Sequence, residues 1–150
     1  MAVNKLIWYE EPWLKCMVSL SPATAGEVTF VIIDEKSNEY ELTSPHYSFN
    51  VNPAGSTAQI IRCGNKVTRV GATSIIYQCE RVSRIGNNAI YYSGQLLTRI
   101  GSINIIYQSN KIAQVGKTRI SYNGQKVGRV GNASLTYSGD VVANVYGNVK

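Results

Sequence analysis

The sequence predicts an all-β repeat protein, an antiparallel meander of about twelve short strands joined to an N-terminal β segment. Three observations predict this fold. One register of 15 residues holds without insertion from about residue 56 to residue 145. Each copy is rich in β-branched residues and tyrosine, which favour strands. Glycine-containing pairs typical of tight hairpin turns separate these runs. A parallel β-solenoid with one copy per coil is the alternative.

The chain before the repeats also has the composition of strands. We expect one or two strands broken at Pro12 in residues 6–20, two strands around a polar turn in residues 27–44, and the joint to the repeats in residues 44–55. A single sheet cannot leave its apolar face in water, so the N-terminal segment is expected to cover or cap one end of that face. The chain divides into an N-terminal segment, residues 1–55, and a repeat region, residues 56–150.

The length of the repeat can be divided into hairpin parts. Asn123-Gly124 is the strongest signal for a two-residue type I′ turn. Five residues of strand, two of turn, five of strand and three of loop, with glycine at positive φ in the loop, account for 15. We expect two-residue turns at residues 93–94, 123–124 and 138–139.

Alternation along the predicted strands assigns the two faces of the sheet. Tyr122 is expected opposite Gln125, and Ile120 opposite Val127, so that isoleucine, tyrosine and valine share one face. Identical residues would stack about 4.8 Å apart in a solenoid and about 9.6 Å apart in a meander, which favours the meander for repeated arginines. The residues expected to be buried are Ile90, Ile105, Ile120, Val127 and Leu135, and those expected on the exposed face include Ser121, Lys126, Gly128, Ser134 and Thr136.

One family resemblance follows from the repeat motif. The pattern Tyr-x-x-x-x-[Val/Ile/Leu]-x-x-[Val/Ile]-Gly, as in YQSNKIAQVG at 107–116, resembles the YD (Rhs-type) β-hairpin repeats. Those repeats place Asp after the Tyr, whereas this chain has Gln or Ser there in four copies and Asn123 in the fifth. The resemblance covers the repeat region only. It implies a β architecture that encloses or displays something, and it carries over no catalytic residue.

The charges of the chain are unevenly divided. The whole chain has a formal net charge of +6. Residues 1–55 hold three lysines against seven acids, a net charge of −4, whereas residues 56–150 hold twelve basic residues against two acids, a net charge of +10. The two parts can attract each other within a molecule or between molecules, and the repeat region could hold an anionic polymer. No nucleic-acid-binding motif accompanies the charge.

No enzyme, cofactor or metal site is predicted. His46 stands alone in a turn, the N-terminal carboxylates are expected to be solvated, and the cysteines match no metal spacing. We expect buried free thiols, and a Cys63–Cys79 pair is left open. The chain shows no recognisable signal peptide and no apolar run long enough to span a membrane, which predicts a protein that is cytoplasmic or exported without such a signal.

Two columns of equivalent residues are candidate binding sites. The tyrosine column is predicted to pack in the core, to form a ladder for an extended carbohydrate, or to lie between subunits. The arginine column is predicted at the rim of the apolar face, as a solvated edge or an anion-binding stripe, and it is interrupted at Gln114. The tyrosine column is Tyr77, Tyr92, Tyr107, Tyr122 and Tyr137, and the arginine column is Arg69, Arg84, Arg99 and Arg129.

The function expected from these features is non-catalytic. The open ends and apolar face of a repeat sheet favour a structural protein that self-associates, as a homo-oligomer or larger assembly, or docks a partner. The alternative is a binding module for an extended glycan, through the tyrosine column, or for a polyanion, through the arginine column.

Overall fold

The structure, a computed structural model, describes residues 4–55 and 59–150. In this part of the chain, two antiparallel sheets of five and twelve strands account for the regular structure, apart from one short 3-10 helix at Pro22–Thr24. Strands that follow each other in the chain are neighbours in each sheet. The predicted all-β meander is therefore confirmed. The parallel solenoid is wrong, because successive strands pair antiparallel.

The first sheet is formed by the N-terminal segment. The strands expected within residues 6–20 and 27–44 are present, and the turn between the first two contains Pro12. The region expected to be only a joint, residues 44–55, holds a fifth strand that pairs with the fourth. The strands of this sheet are β1 (Lys5–Glu11), β2 (Leu14–Ser19), β3 (Val28–Ile33), β4 (Glu39–Ser44) and β5 (Ser48–Asn52).

The second sheet is formed by the repeats, two strands to a copy. Its order follows the chain from the first hairpin to the sixth. The strands are β6 (Ile60–Cys63), β7 (Lys66–Val70), β8 (Thr73–Gln78), β9 (Arg81–Ile85), β10 (Asn88–Ser93), β11 (Leu96–Ile100), β12 (Ile103–Gln108), β13 (Lys111–Val115), β14 (Thr118–Asn123), β15 (Lys126–Val130), β16 (Ala133–Ser138) and β17 (Val141–Tyr146).

The hairpin turns lie one residue later than predicted. Asn123 is the last residue of β14 and pairs with Lys126, so the turn is Gly124-Gln125 and not Asn123-Gly124. Gly124 has φ +66°, and glycine at the first turn position is typical of type II′. The turn at Ser109-Asn110 has positive φ at both residues, as type I′ requires. The expected turns at 93–94, 123–124 and 138–139 are thus 94–95, 124–125 and 139–140.

A β-bulge explains why the repeat has an odd length. If all turns had two residues and the pairing were regular, equivalent side chains in successive copies would share a face only when the repeat length is even. The pairing shifts between Ser121, which lies opposite Arg129, and Tyr122, which lies opposite Val127, so Gly128 is the extra residue of a bulge. The predicted three-residue loop is wrong, because the glycine loops have two residues and the bulge supplies the fifteenth.

The bulge also corrects the predicted pairing while leaving the inner face as predicted. Ile120 lies opposite Val130, and not opposite Val127. Because of the extra residue, Val127 and Val130 both point inward and are fully buried. The five residues predicted to be buried are all buried. On the other face, Ser121 and Thr136 are exposed, whereas Lys126, Gly128 and Ser134 are half-buried.

The two sheets pack on each other around one hydrophobic core. The inner face of the five-stranded sheet contributes Trp8, Phe30 and Leu42, and the repeat sheet contributes its isoleucine and valine columns. Contacts between the sheets extend from Thr73, near one end of the repeat sheet, to Thr118. The N-terminal segment thus covers the apolar face of the repeats, as expected from the need to remove that face from water.

Candidate functional site

The hydroxyl groups of the tyrosine column already have partners within the repeat sheet. Between β9 and β10 the backbone ladder consists of two residue pairs beside the glycine turn. Farther along, Tyr92 Oη donates a hydrogen bond of 2.9 Å to the carbonyl of Val82. Each tyrosine hydroxyl therefore supplies a cross-strand hydrogen bond where backbone pairing has stopped. The equivalent bonds run from Tyr77 to Val67, Tyr107 to Leu97, Tyr122 to Ile112 and Tyr137 to Val127.

The tyrosine rings are half-buried, and other side chains lie against them. The guanidinium carbon of Arg81 is 4.2 Å from the ring centroid of Tyr92, and Tyr47 packs edge-on against the same ring at 6.1 Å between centroids. Burial raises the pKa of Tyr122 to about 12. A glycan ladder needs open ring faces, and contacts of this kind lie against four of the five rings. The tyrosine column is thus part of the margin of the core. Lysines cover three further rings, in the pairs Lys66–Tyr77, Lys111–Tyr122 and Lys126–Tyr137.

The arginine column lies on the outer face of the repeat sheet, and not at the rim of the apolar face as predicted. Arg84 is exposed and pairs across the hairpin with Ile76, which is exposed too. Its Nε donates a hydrogen bond of 3.0 Å to the carbonyl of Gly86. Gln114, where the column is interrupted, makes the same bond with Nε2 to Gly116, at 2.8 Å. The bond therefore does not require a charge. The other arginine bonds are Arg69 to Gly71, Arg99 to Gly101 and Arg129 to Gly131.

A row of exposed apolar side chains runs beside the arginine column. We call it the outer row, and it consists of Ile61, Ile76, Tyr91 and Ile106, each 50–51% exposed. Within the hairpins Ile61 pairs with Arg69, Ile76 with Arg84 and Tyr91 with Arg99. This row was not predicted, because the residues of the outer face were taken from the last copies, which have Ser121 and Thr136 at these positions. The same column read in the earlier copies would have shown it.

Successive copies are displaced along the strands as well as across them. Ser121 lies opposite Arg129, and Arg129 opposite Ser134, but the residue equivalent to Ser121 in the next copy is Thr136. Equivalent residues are therefore two strands apart, about 9.6 Å, and two residues farther along, about 6.7 Å. Both the outer row and the arginine column run diagonally over the sheet, and the spacing predicted from strand separation alone omitted this displacement.

The two outermost strands of the repeat sheet expose apolar side chains. On β6, Ile60 is 37% and Ile61 50% exposed, and on β17 Val141 is 53% and Tyr146 56% exposed. The equivalent of Ile60 in the next copy, Ile75, is only 3% exposed. At the β6 end, Ile60 is therefore an apolar residue of a kind that the inner copies bury.

A cleft of about 420 Å³ lies at the β6 end, between β5 of the N-terminal sheet and the first strands of the repeat sheet. Phe49, Val51, Val67 and Tyr77 form its apolar lining, and charged residues, among them Arg62, line it as well. The core is thus less completely covered at this end than in the middle of the sheet.

Two acidic residues of the N-terminal segment bind the repeat sheet, although both were predicted to be solvated. The buried Glu10 accepts hydrogen bonds from the backbone N–H of Lys117 at 2.7 Å, from Thr118 Oγ1 at 2.6 Å and from Trp8 Nε1 at 3.0 Å, and it lies 3.2 Å from Lys150 Nζ. Burial alone would raise the pKa of Glu10, but these bonds outweigh it and lower the pKa below its ordinary value.

Asp34 makes the matching contact at the other end of the covered region. Its Oδ2 accepts hydrogen bonds from Thr73 at 2.9 Å and from Tyr40 at 2.6 Å. Against the effect of burial, the hydrogen bonds from Tyr40, Asn38 and Thr73 lower the pKa of Asp34. Thr73 and Thr118 occupy the same repeat position in copies that lie three repeats apart. Threonine at this position was therefore the signal in the sequence for both contacts. Two of the seven acids therefore join the N-terminal sheet to the repeat sheet.

The other candidate reactive groups lie apart from one another. His46 is exposed in the turn before β5. Cys16 is buried, and burial raises its pKa, but Cys63 and Cys79 are exposed free thiols, so the prediction that the thiols are buried is wrong for two of them. Across residues 4–55 and 59–150, no group of three or more His, Cys, Asp and Glu side chains is placed to hold a metal ion.

Comparison with known proteins identifies no relative. No protein-family model matches the chain, and neither a curated protein nor a solved structure matches it. The resemblance to YD repeats stays a prediction. Among the residues that the structure describes, no helix is long and apolar enough to cross a membrane.

Proposed function

We propose that this chain is a non-catalytic structural protein that assembles head to tail, with β17 of one copy pairing with β6 of the next. The exposed apolar residues on both end strands carry this proposal. Unpaired strand edges recruit further strands, and native proteins usually protect them with charge or proline. Here β6 carries one charged residue, Arg62, and β17 carries none, and the end strands also present Ile60, Val141 and Tyr146, so that joining two copies would remove apolar surface from water at each junction.

The number of strands makes the two edges compatible. With twelve strands in a meander, β6 and β17 run in opposite directions. A β17–β6 junction between two copies is then antiparallel and of the same kind as the junctions between hairpins, such as that between β9 and β10. The two edges are different surfaces of one molecule, so the contact is heterologous and generates a filament or a ring.

The tyrosine column provides a second argument for the same junction. In five copies a tyrosine hydroxyl binds the carbonyl of the valine, leucine or isoleucine ten residues earlier. Continuing this pattern, the carbonyl of Val142 would receive its hydrogen bond from the first copy of the next molecule. Arg62 occupies the tyrosine position there, and its guanidinium can donate to a carbonyl.

Sedimentation velocity over a range of protein concentrations tests the proposal. We expect wild-type protein to form larger species as concentration rises. Val141→Lys with Tyr146→Lys should weaken this association about tenfold or more, because two charges would then stand on the joining edge. Ile76→Lys with Ile106→Lys is the matched control, since these side chains are equally exposed but lie on the outer face. The control should associate like the wild type.

Salt separates edge pairing from association by charge. The Debye length falls from about 10 Å at 0.1 M to about 3 Å at 1 M salt, which weakens contacts between exposed charges. Edge pairing rests on backbone hydrogen bonds and apolar burial and should persist at 1 M salt. A protein that is monomeric at every concentration, or a control variant that dissociates as readily as the edge variant, would contradict head-to-tail joining.

A further inference from the structure

We infer that the outer face of the first four hairpins docks an acidic, amphipathic segment of a partner protein. The face combines the arginines Arg69, Arg84 and Arg99 with the outer row, whose first three members pair with them. It points away from the N-terminal sheet and from the edges of the proposed assembly. Apart from Ile61, which stands on the end strand β6, this surface is therefore distinct from the contacts of the proposed function.

Charge is the first argument for an acidic partner. The repeat region has only two acidic residues, Glu80 and Asp140. They lie in the hairpin turns that follow Tyr77 and Tyr137. Each of them pairs with a lysine, Lys66 or Lys126. In the described part of the chain, every ion pair uses a lysine. The arginines of the outer face are therefore not paired with carboxylates of the same molecule, and a partner can supply the carboxylates. Guanidinium groups bind carboxylates with two parallel hydrogen bonds.

The outer row is the second argument, and it favours a polypeptide. Three of its four members are isoleucines, and Tyr91 is the only aromatic one. Glycans and single-stranded nucleic acids bind flat faces mainly by stacking on aromatic rings, and a row of isoleucines offers them little. A polypeptide can place apolar side chains on the row and carboxylates on the arginines at once. An amphipathic helix presents these two stripes side by side.

The arginine side chains are already ordered for such a contact. The Nε of each one is held by a glycine carbonyl two residues later, at 3.0 Å for Arg84 and 2.8 Å for Arg99. Arg99 also lies over the ring of Tyr91, with its guanidinium carbon 5.5 Å from the ring centroid. Side chains that are ordered before binding lose less conformational entropy when they bind.

The natural glutamine at position 114 suggests the decisive variants. Glutamine keeps the hydrogen bond to the glycine carbonyl and removes the charge, so Arg84→Gln with Arg99→Gln should preserve the sheet. Arg129→Gln is the matched control, because Arg129 pairs with Ser121 and not with an apolar residue. Gln114→Arg, opposite Ile106, should add an arginine beside the outer row and strengthen binding.

The probe is a labelled synthetic helix with leucine at positions i, i+4, i+7 and i+11 and glutamates along one flank, and binding is measured by fluorescence anisotropy. The edge variant Val141→Lys with Tyr146→Lys serves as the background, so that self-association does not affect the result. Arg84→Gln with Arg99→Gln, and separately Ile76→Ser with Ile106→Ser, should each weaken binding about tenfold or more, while the Arg129→Gln control changes it less than about threefold.

Three comparison probes test the choice of partner. A peptide with serine in place of the leucines should bind at least about tenfold more weakly, and heparin and single-stranded polyuridine should bind no more tightly than that peptide. If heparin or polyuridine binds best and the isoleucine variants have no effect, the face is a polyanion site and the inference is wrong. Absence of binding by the leucine peptide overturns it as well.

Discussion

Glu10 and Thr118 lie 108 positions apart in the chain, and Thr118 Oγ1 donates a hydrogen bond of 2.6 Å to Glu10 Oε2. The contact joins β1 of the N-terminal sheet to β14 of the repeat sheet. At the other end of the covered region, Asp34 and Thr73 make the equivalent contact at 2.9 Å. The two carboxylates thus set the position of one sheet on the other at two points.

Removing the charge of Glu10 should destabilise the protein. Glu10→Gln loses charge-assisted bonds from Thr118 and Lys117 and the ion pair with Lys150, and we expect a loss of about 2–4 kcal/mol in the free energy of unfolding. Urea denaturation measures this loss. The neighbouring Glu11→Gln is the control and should cost less than about 0.5 kcal/mol. Equal losses for the two variants would show that Glu10 does not hold the sheets together.

The same residue should contribute to acid sensitivity. The folded state lowers the pKa of Glu10 below its ordinary value of 4.5, so its stabilising contribution is complete above that pH and is lost as pH falls through the lower folded-state pKa. Urea denaturation between about pH 6 and pH 3 should show a smaller loss of stability for Glu10→Gln than for the wild type. A steeper loss in the variant would contradict this assignment. Asp34, whose pKa is also lowered, should supply the remaining acid sensitivity.

Two glycines with similar positive φ angles should differ in tolerance to alanine. Gly94 and Gly116 have φ +61° and +55°, and an added Cβ meets nothing within 4 Å at Gly94 but overlaps the Glu10 carboxylate at Gly116. Gly94→Ala should cost about 1–2 kcal/mol from backbone strain alone. Gly116→Ala should cost a further 1–3 kcal/mol or so from the overlap. Thermal unfolding compares them, and equal values would place Glu10 away from this loop.

The tyrosine hydroxyls should stabilise the sheet individually. Tyr92→Phe leaves the carbonyl of Val82 without its donor, and we expect a loss of about 1–2 kcal/mol in the free energy of unfolding. Tyr91→Phe, next to it on the exposed face, should change stability by less than about 0.5 kcal/mol. Denaturant titration of both variants checks this difference. A neutral Tyr92→Phe would mean that water satisfies the carbonyl equally well.

Ile105 and Ile106 test the assignment of the faces with one change of side chain. Ile105 is 4% exposed and Ile106 51% exposed. Ile105→Ala should cost about 2–5 kcal/mol, because it leaves a cavity in the core, whereas Ile106→Ala should cost less than about 0.5 kcal/mol. Comparable losses in chemical denaturation would mean that the outer face is covered in solution.

The repeat made much of the fold predictable. The 15-residue period, the strand-forming columns and the glycine pairs were enough for a meander of about twelve strands and for the buried face. The exact pairing was not predictable in this way. A three-residue loop and a bulge both supply one extra residue, and they keep the columns on one face equally well. The bulge at Gly128 therefore changed the partner of Ile120 from Val127 to Val130 without changing which residues are buried.

The candidate sites were less predictable than the fold. Arg84 was expected at a rim because the bulge was not predicted: simple alternation from Val82 turns Arg84 toward the apolar face, whereas the actual register, with one extra residue, puts it on the outer face beside Ile76. Tyr92 was recognised as a member of a column, but its partner is a backbone carbonyl, and every residue type supplies a carbonyl. No side-chain pattern identifies such an acceptor. The hydrogen bond becomes visible only when the strands are placed.

The sequence by itself determined the local structure of this protein, because period, β-propensity and turn residues act between neighbours in the chain. The tertiary structure decided which surfaces are free. Stacking of the N-terminal sheet on the repeats took the isoleucine and valine columns out of water and enclosed the rings of the tyrosine column. It also turned Glu10 and Asp34 inward and left the outer row and the arginines exposed. These outcomes depend on contacts such as that of Glu10 with Thr118, between residues whose distance in the chain gives no local signal.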